Sequence, residues 1–395
     1  MRILLINHFP LQGSGSGVYV SNIAKSLEKK GHKIRIISPE NTSNFSDIDC
    51  KKLHPVFFKY MEEIENQQNF NIPCFDPHPR SSLLYCDMTD EQILKYENVF
   101  KEAIKEEILK FKPDIIHAQH IWIISSIAAE FGVPMVITSH GSDIMGYEWW
   151  KKFQKYAHNS ANKSKRIIAI SKYNAELIRN IFNDNQDKVT TILNGYDKEK
   201  FYKKRYNKID ALKKLGISGK YKNIVCFSGR LAKNKGIDIL LRAAKKYENS
   251  NILTIIAGYG DEYNYLNSLK EELGLKNVVF VGHKDANILR EIYNISDVCA
   301  VPSRQEAFGL VALESIACGT PVVASNQGGI TDFVNEEVGI LIEKENVEQL
   351  ADAILKIINK EKRFKGRKLA KYAKKNLEQD LLIDKLIGVY RNALK

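Results

Sequence analysis

The chain predicts two doubly wound α/β domains, each a parallel sheet with helices on both faces. Three observations carry this. Short β-branched and apolar runs alternate with stretches of helical periodicity, and the pattern occurs twice, on either side of a Lys-rich stretch at 198–222. Glycine-rich turns follow the apolar runs in both halves. The length, 395 residues, exceeds one ordinary domain of roughly 100–200 residues. With 44% hydrophobic and 27% charged residues the chain can fill two cores and is not of disordered composition. No stretch approaches the roughly 18 apolar residues of a membrane span.

In the first run, a strand at 2–8 meets the turn Gly13-Ser14-Gly15-Ser16-Gly17. A helix with Val18, Ile23, Ala24 and Leu27 on one face follows, stops at Gly31, and leads to a strand at 33–37, which makes a βαβ unit. Strands at 113–117, 133–138, 166–170 and 189–193 continue the run, with a helical stretch at 123–131. Residues 41–90 break the rhythm. They are polar and aromatic, carry Pro55, Pro73, Pro77 and Pro79, and read as an irregular insertion bearing binding surface. The second run has strands at 222–228, 253–257, 278–281, 298–301, 321–324 and 339–342. The expected domains are residues 1–205 and 206–377, with a C-terminal helix at about 378–395 packing back on the first. Ligands of open α/β sheets bind beyond the carboxyl ends of the strands, so a cleft lined by both sets of strand ends is expected.

The net charge of +12 is uneven: −4 over residues 1–150, +17 over 151–250, −9 over 251–350 and +8 over the remainder. Basic blocks attract phosphorylated ligands or anionic surfaces, or are merely solvated. No nucleic-acid module is recognisable, so no nucleic acid is expected as a partner. The six cysteines form no CxxC and no zinc spacing. Cys226, Cys299 and Cys318 read as buried thiols. Cys50, Cys74 and Cys86 share one stretch without an expected disulfide. The first ten residues lack the pattern of a signal peptide, and the chain is expected in the cytoplasm.

Four motifs follow strands. In Gly229-Arg230 … Lys235-Gly236, glycine lets backbone amides approach an anion, while Arg230 and Lys235 can converge on two phosphates. In residues 302–314, Glu306 lies in a loop and Glu314 falls among apolar and small residues of the next helix. A carboxylate there needs partners, and sugar hydroxyls or a lysine would serve. Gly13 to Gly17 suits a close approach to phosphate or a plain tight turn. It is not GxGxxG, and Glu40 lies past Pro39, so a nicotinamide cofactor fits poorly. Gly258, Gly260, Gly282 with His283 and Lys284, and Gly328-Gly329 are turns along one rim.

Taken in order, Gly-Ser-Gly at 15–17, His-Gly-Ser-Asp at 140–143, Asn-Gly-Tyr-Asp at 194–197, Gly-Arg-x4-Lys-Gly at 229–236 and Ser-Arg-Gln-Glu-Ala-Phe-Gly-Leu-x3-Glu at 303–314 resemble the retaining family 4 glycosyltransferases of GT-B fold. That fold has two Rossmann-like domains facing across a cleft. The similarity covers nearly all of the chain except about 41–100. It implies a nucleotide-sugar donor, which is a substrate rather than a cofactor. Arg230 and Lys235 would hold the diphosphate, Glu306 the transferred sugar together with the amides of Phe308, Gly309 and Leu310, and Glu314 the ribose hydroxyls. Gly15, Ser16 and Gly17 would contact the phosphate and reacting centre, Gly229, Gly258 and Gly260 would complete the donor rim, and Lys284 would edge the base. The family's paired glycines are here separated by Ser16, and Tyr259 replaces a small or acidic residue.

His117, His120 and His140 stand at strand ends of the first domain. By resemblance one of them touches the sugar or the acceptor, with His120 the first choice for a catalytic role. His117, His140 and Asp143 are then acceptor contacts. The reading is transfer with retention of configuration and without a metal, since Arg230, Lys235 and backbone amides supply the positive field. The acceptor is a lipid, a glycan or a small molecule. A sugar-nucleotide epimerase and a non-enzymatic nucleotide or nucleic-acid binder are the alternatives; the latter leaves Glu306 and Glu314 unexplained. Trp149, Phe153 and Tyr156 share a helical spacing beside Lys151, Lys152 and Lys155. That pattern suits either a core helix or peripheral attachment to an anionic inner membrane face.

Overall fold

Strand β1 (Arg2–Ile6) sits inside the first sheet, and Ile3, Leu4, Leu5 and Ile6 are wholly buried. Alternation along it sorts these side chains into two layers. Leu4 and Ile6 join one core, while Ile3 and Leu5 join another on the opposite face. The computed structural model describes residues 1–42, 50–59, 66–76, 80–248 and 250–395. The other strands of this sheet are β2 (Lys33–Glu40), β3 (Leu53–Phe57), β4 (Ile115–Gln119), β5 (Met135–Ser139), β6 (Arg166–Ala169) and β7 (Val189–Thr191). All pair in parallel, in the order β3-β2-β1-β4-β5-β6-β7. The first six helices are α1 (Gly15–Lys29), α2 (Asp90–Phe111), α3 (Ile123–Ala128), α4 (Ser142–Trp149), α5 (Gln154–Lys163) and α6 (Lys172–Ile181).

The C-terminal helix, Gln379–Ala393, belongs to this unit, which comprises Met1–Leu193 and Gln379–Lys395. Its Leu382, Ile383, Leu386 and Tyr390 are buried in the same core as Ile3, Leu5 and Val20. Burying each such side chain contributes about 1.5–3 kcal/mol.

The second unit, Asn194–Glu378, contains β8 (Asn223–Ser228), β9 (Ile252–Ala257), β10 (Val278–Gly282), β11 (Val298–Val301), β12 (Val322–Ser325) and β13 (Gly339–Ile342). They form a parallel sheet in the order β10-β9-β8-β11-β12-β13. Its helices are α7 (Lys208–Lys214), α8 (Ile237–Lys245), α9 (Tyr263–Glu272), α10 (Ala286–Ile295), α11 (Leu310–Ala317), α12 (Val347–Ile358) and α13 (Gly366–Leu377).

The division falls at 193/194, ahead of the expected 205/206. Residues 194–205 are held by the second unit: Tyr196 donates its amide to Leu377 O (3.1 Å), Lys198 pairs with Glu378 (2.6 Å), and Lys204 donates its amide to Asn294 (2.8 Å). The described part of the stretch 41–90 is less irregular than expected. It contains β3, and Pro55 is tolerated there because β3 is an edge strand. Pro77 and Pro79 lie outside the described residues, as does the side chain of Cys50. Cys86 is a free thiol, as are the buried Cys226, Cys299 and Cys318, while the buried Cys74 donates its Sγ to Leu83 O (3.2 Å).

Candidate functional site

In the second unit the strand order reverses between β8 and β11, the position where open α/β sheets bind ligands. Arg230 and Lys235 follow β8, and Glu306 follows β11. Each cation rests on a carboxylate: Arg230 on Asp261 at 2.8 Å, and Lys235 on Glu306 at 2.7 Å. Ser303 Oγ also donates to Glu306, at 3.2 Å.

Backbone contacts stitch the neighbouring loops together. Leu231 N donates to Tyr259 O (2.9 Å), Arg304 N to Asn234 O (2.7 Å), and Gly329 N to Glu306 O (3.1 Å). Glycine is obligatory at two crossings. A Cβ on Gly258 (φ 154°) would stand 1.8 Å from Gly229 O, and one on Gly328 (φ 60°) 2.0 Å from Glu306 O. Arg304 clamps the Glu306 loop with a two-pronged bond to Asp238 (2.8 Å each) and another to Glu345 (2.6 Å). Asp261 and Arg304 have no evident role in the sequence; only the fold shows them as partners across loops.

Phe308 packs on Phe333 (5.0 Å), and Gly309, at φ 99°, opens α11, whose first amides have no partner inside the helix. Gly229, Gly258, Gly260 and Lys284 lie beyond the ends of β8, β9 and β10 on the same rim. Glu314, within α11, is partly exposed, yet protein encloses its carboxyl. That burial raises it to about 8, against the opposing pull of the Tyr293 hydroxyl, which donates at 3.3 Å, and of the Lys200 charge.

In the first unit the reversal lies between β1 and β4. His8 follows β1 and His120 follows β4, and their rings meet edge to face at 5.4 Å. His140 stands 5.0 Å from His120. Phe9 and Phe75 pack on His120 at 5.9 and 5.5 Å. His8 Nε2 accepts from the Ile124 amide at 3.0 Å. Nδ1 of His8 and of His120 is buried without a hydrogen bond of ordinary geometry. Burial lowers His117, His120 and His140 to about 3, and neighbouring imidazoles add to the effect for His117 and His140. His8 is also well below its usual value, chiefly through burial. At neutral pH these rings are uncharged. His8 was overlooked in the sequence because it reads there as the last residue of a strand.

Several expectations are corrected here. His117 lies in the middle of β4, with Nδ1 2.6 Å from the Tyr390 hydroxyl and Nε2 2.7 Å from the Thr138 hydroxyl. It ties the sheet to the C-terminal helix and has no nitrogen left for an acceptor. Asp143 accepts from the Ile121 amide (2.8 Å), the Gly141 amide (2.9 Å) and Ser139 Oγ (3.0 Å). It braces the loops beyond β4 and β5 instead of meeting an acceptor. Gly15, Ser16 and Gly17 are the first turn of α1, capped by Ser14, and not a loop. The shared stripe of Trp149, Phe153 and Tyr156 does not exist: α4 ends at Trp149, and Phe153 is wholly buried against Tyr85 and Trp122. Glu40, which the sequence already disfavours as a cofactor contact, accepts from Leu11 N (3.0 Å), Ser38 Oγ (3.1 Å) and Arg80 (3.1 Å).

Comparison with known proteins adds the deciding observation. Residues 13–200 match the family described as Glycosyltransferase Family 4, and residues 208–376 match glycosyl transferases group 1. The chain belongs to the family 4 glycosyltransferases. An uncharacterized glycosyltransferase of Methanocaldococcus jannaschii is 29% identical over 363 residues, covering 87% of this chain and 85% of that protein. A glycogen synthase of Mycobacterium tuberculosis is 26% identical, covering 91% and 86%. Among solved structures, Anabaena HepE in complex with UDP and glucose aligns with a TM-score of 0.77 at 19% identity, covering 99% of each chain. That likeness is one of fold, and the fold of this glycosyltransferase is GT-B, each unit a parallel α/β domain. Among its described residues no helix is long and apolar enough to cross a membrane.

The cations of this glycosyltransferase that could meet a diphosphate are thus already placed, each on an exchangeable carboxylate. Around its imidazole group the first unit offers uncharged ring nitrogens and aromatic faces.

Proposed function

We propose that the protein transfers a sugar from a nucleoside diphosphate donor to an acceptor hydroxyl, with retention of anomeric configuration and without a metal ion. The observation that carries this reading is the pairing of Arg230 with Asp261 and of Lys235 with Glu306 where the strand order of the second unit reverses. A diphosphate presents more charge than one carboxylate and competes for both cations. As Lys235 turns to phosphate, Glu306 is released to accept from hydroxyls of the sugar. Departure of the leaving diphosphate concentrates negative charge on its oxygens, which the two cations and the first amides of α11 stabilise. His120, at the strand-order reversal of the first unit, offers a neutral nitrogen to the acceptor. HepE, crystallised with UDP and glucose, supports a nucleotide-sugar donor.

The direct test is to follow the anomeric proton of the product by NMR, with and without EDTA. Retention at an unchanged rate is expected; inversion, or loss of turnover with EDTA, refutes the proposal.

Glu314 gives a pH signature. Its carboxyl, raised to about 8, is protonated at pH 7. Ribose hydroxyls donate best to the ionised form, so binding lowers its pKa and releases a proton. Nucleotide affinity is therefore expected to rise with pH up to about 8 and to be flat in Glu314→Gln. Calorimetry in buffers of different ionisation enthalpy reads the released proton directly, and equal apparent enthalpies at pH 7 would exclude this role.

A further inference from the structure

The helix α13 is the most one-sidedly charged element of the second unit. It contains no acidic residue, and Arg367, Lys368, Lys371, Lys374 and Lys375 are all exposed. Its buried residues are Leu369, Ala373 and Leu377. At about 100° per residue, the five cations span an arc of roughly 120° centred opposite that buried face. Among the described residues none of the five makes an ion pair or a side-chain hydrogen bond. Elsewhere on this chain exposed lysines commonly find carboxylates, as Lys214 does with Glu291 and Lys246 with Glu348. The segment just before α13 adds Lys362, Arg363 and Lys365.

We propose that this face of α13 docks the protein on an anionic phospholipid surface. The charge pattern favours a lipid surface over nucleic acid. Four of the five cations are lysines, which act as point charges and lack the planar fork of arginine that reads phosphate or base edges. The face offers no aromatic ring for base stacking: Tyr372, the helix's aromatic residue, is partly buried and spends its hydroxyl on Phe333 O at 2.8 Å. The apolar side of α13 is committed to the protein core, so attachment is electrostatic adsorption without insertion, and it weakens with salt. This inference stands apart from the catalytic reading.

The test is flotation of the full chain with phosphatidylcholine vesicles, with and without phosphatidylglycerol, over a range of ionic strength. Binding is expected only with phosphatidylglycerol and is expected to fall as salt rises. Lys371→Gln, Lys374→Gln and Lys375→Gln together should weaken it by roughly a hundredfold. The corresponding three Lys→Arg changes should preserve it, which separates lost charge from a disturbed helix. Nucleotide binding should be unchanged in both variants. The proposal is overturned if the wild-type chain ignores anionic vesicles, if the glutamine variant binds them as well as wild type, or if an RNA oligonucleotide binds through these lysines while vesicles do not.

Discussion

Lys235→Ala is expected to lower kcat by about 10²–10³-fold, the loss seen when one preorganised donor to a developing oxyanion is removed. Lys235 bonds Glu306 at 2.7 Å, so alanine frees Glu306 from its partner and also removes the cation that the proposed mechanism sets against the diphosphate. Glu306→Gln is expected to weaken the sugar contact and to loosen Lys235 at once. Because each partner sets the position of the other, the double variant should fall well short of the product of the two single effects. Arg230→Ala belongs in the same series; its partner Asp261 is mostly exposed and tolerates the loss better. Steady-state kinetics on the three variants and the Lys235–Glu306 double variant, with calorimetry of nucleoside diphosphate binding, provides the measurement. Wild-type turnover in Lys235→Ala would remove the basis of the catalytic proposal.

Mild acid should unfold the first unit before the second. His8, His117 and His120 are each no more than 1% exposed, and burial holds all three neutral far below the ordinary imidazole value. The unfolded chain takes up protons below about pH 6.5, whereas the folded unit refuses them. The stability these rings contribute is complete above that pH and is lost as pH falls toward their folded values. One pH unit below the free imidazole value, each costs on the order of 1 kcal/mol, or roughly 3–4 kcal/mol for the three. That is a large part of the usual 5–15 kcal/mol of a domain. Glu107, lowered to about 2 in spite of its burial by bonds from His54 and Arg35, adds a further loss below its ordinary range. The second unit contains a single histidine, the exposed His283. Trp122, Trp149 and Trp150 all lie in the first unit, so their emission reports on it alone. Tryptophan emission is expected to shift near pH 5 while much of the far-ultraviolet circular dichroism persists. Coincident transitions near pH 4 would assign the unfolding to carboxylates.

The two sheets were legible in the sequence because strands buried on both faces are nearly continuous apolar runs, as in residues 2–6 and 252–257. The rim of loops at the strand ends was legible for a related reason. Glycines, Arg230, Lys235 and Glu306 fall at the ends of such runs, and a parallel sheet brings consecutive strand ends to one edge. What stayed hidden depends on contacts distant in sequence. His117 looked like a residue at a strand end, and its commitment to Tyr390, 273 residues away, has no local sign. Asp143 resembles an exposed polar residue until the amides of Ile121 and Gly141 close on it. The aromatic spacing at 149–156 suggested one face, but a break at Trp150 rotates Phe153 into the core. Pro55 disguised an edge strand as a loop.

The C-terminal helix has one more consequence, for biosynthesis. Leu382, Ile383, Leu386 and Tyr390 complete the hydrophobic layer beneath β1, yet they are translated after the entire second unit. On the ribosome the second unit can therefore mature while the first still lacks one wall, and the nascent protein carries an open apolar face until the helix Gln379–Ala393 emerges from the exit tunnel.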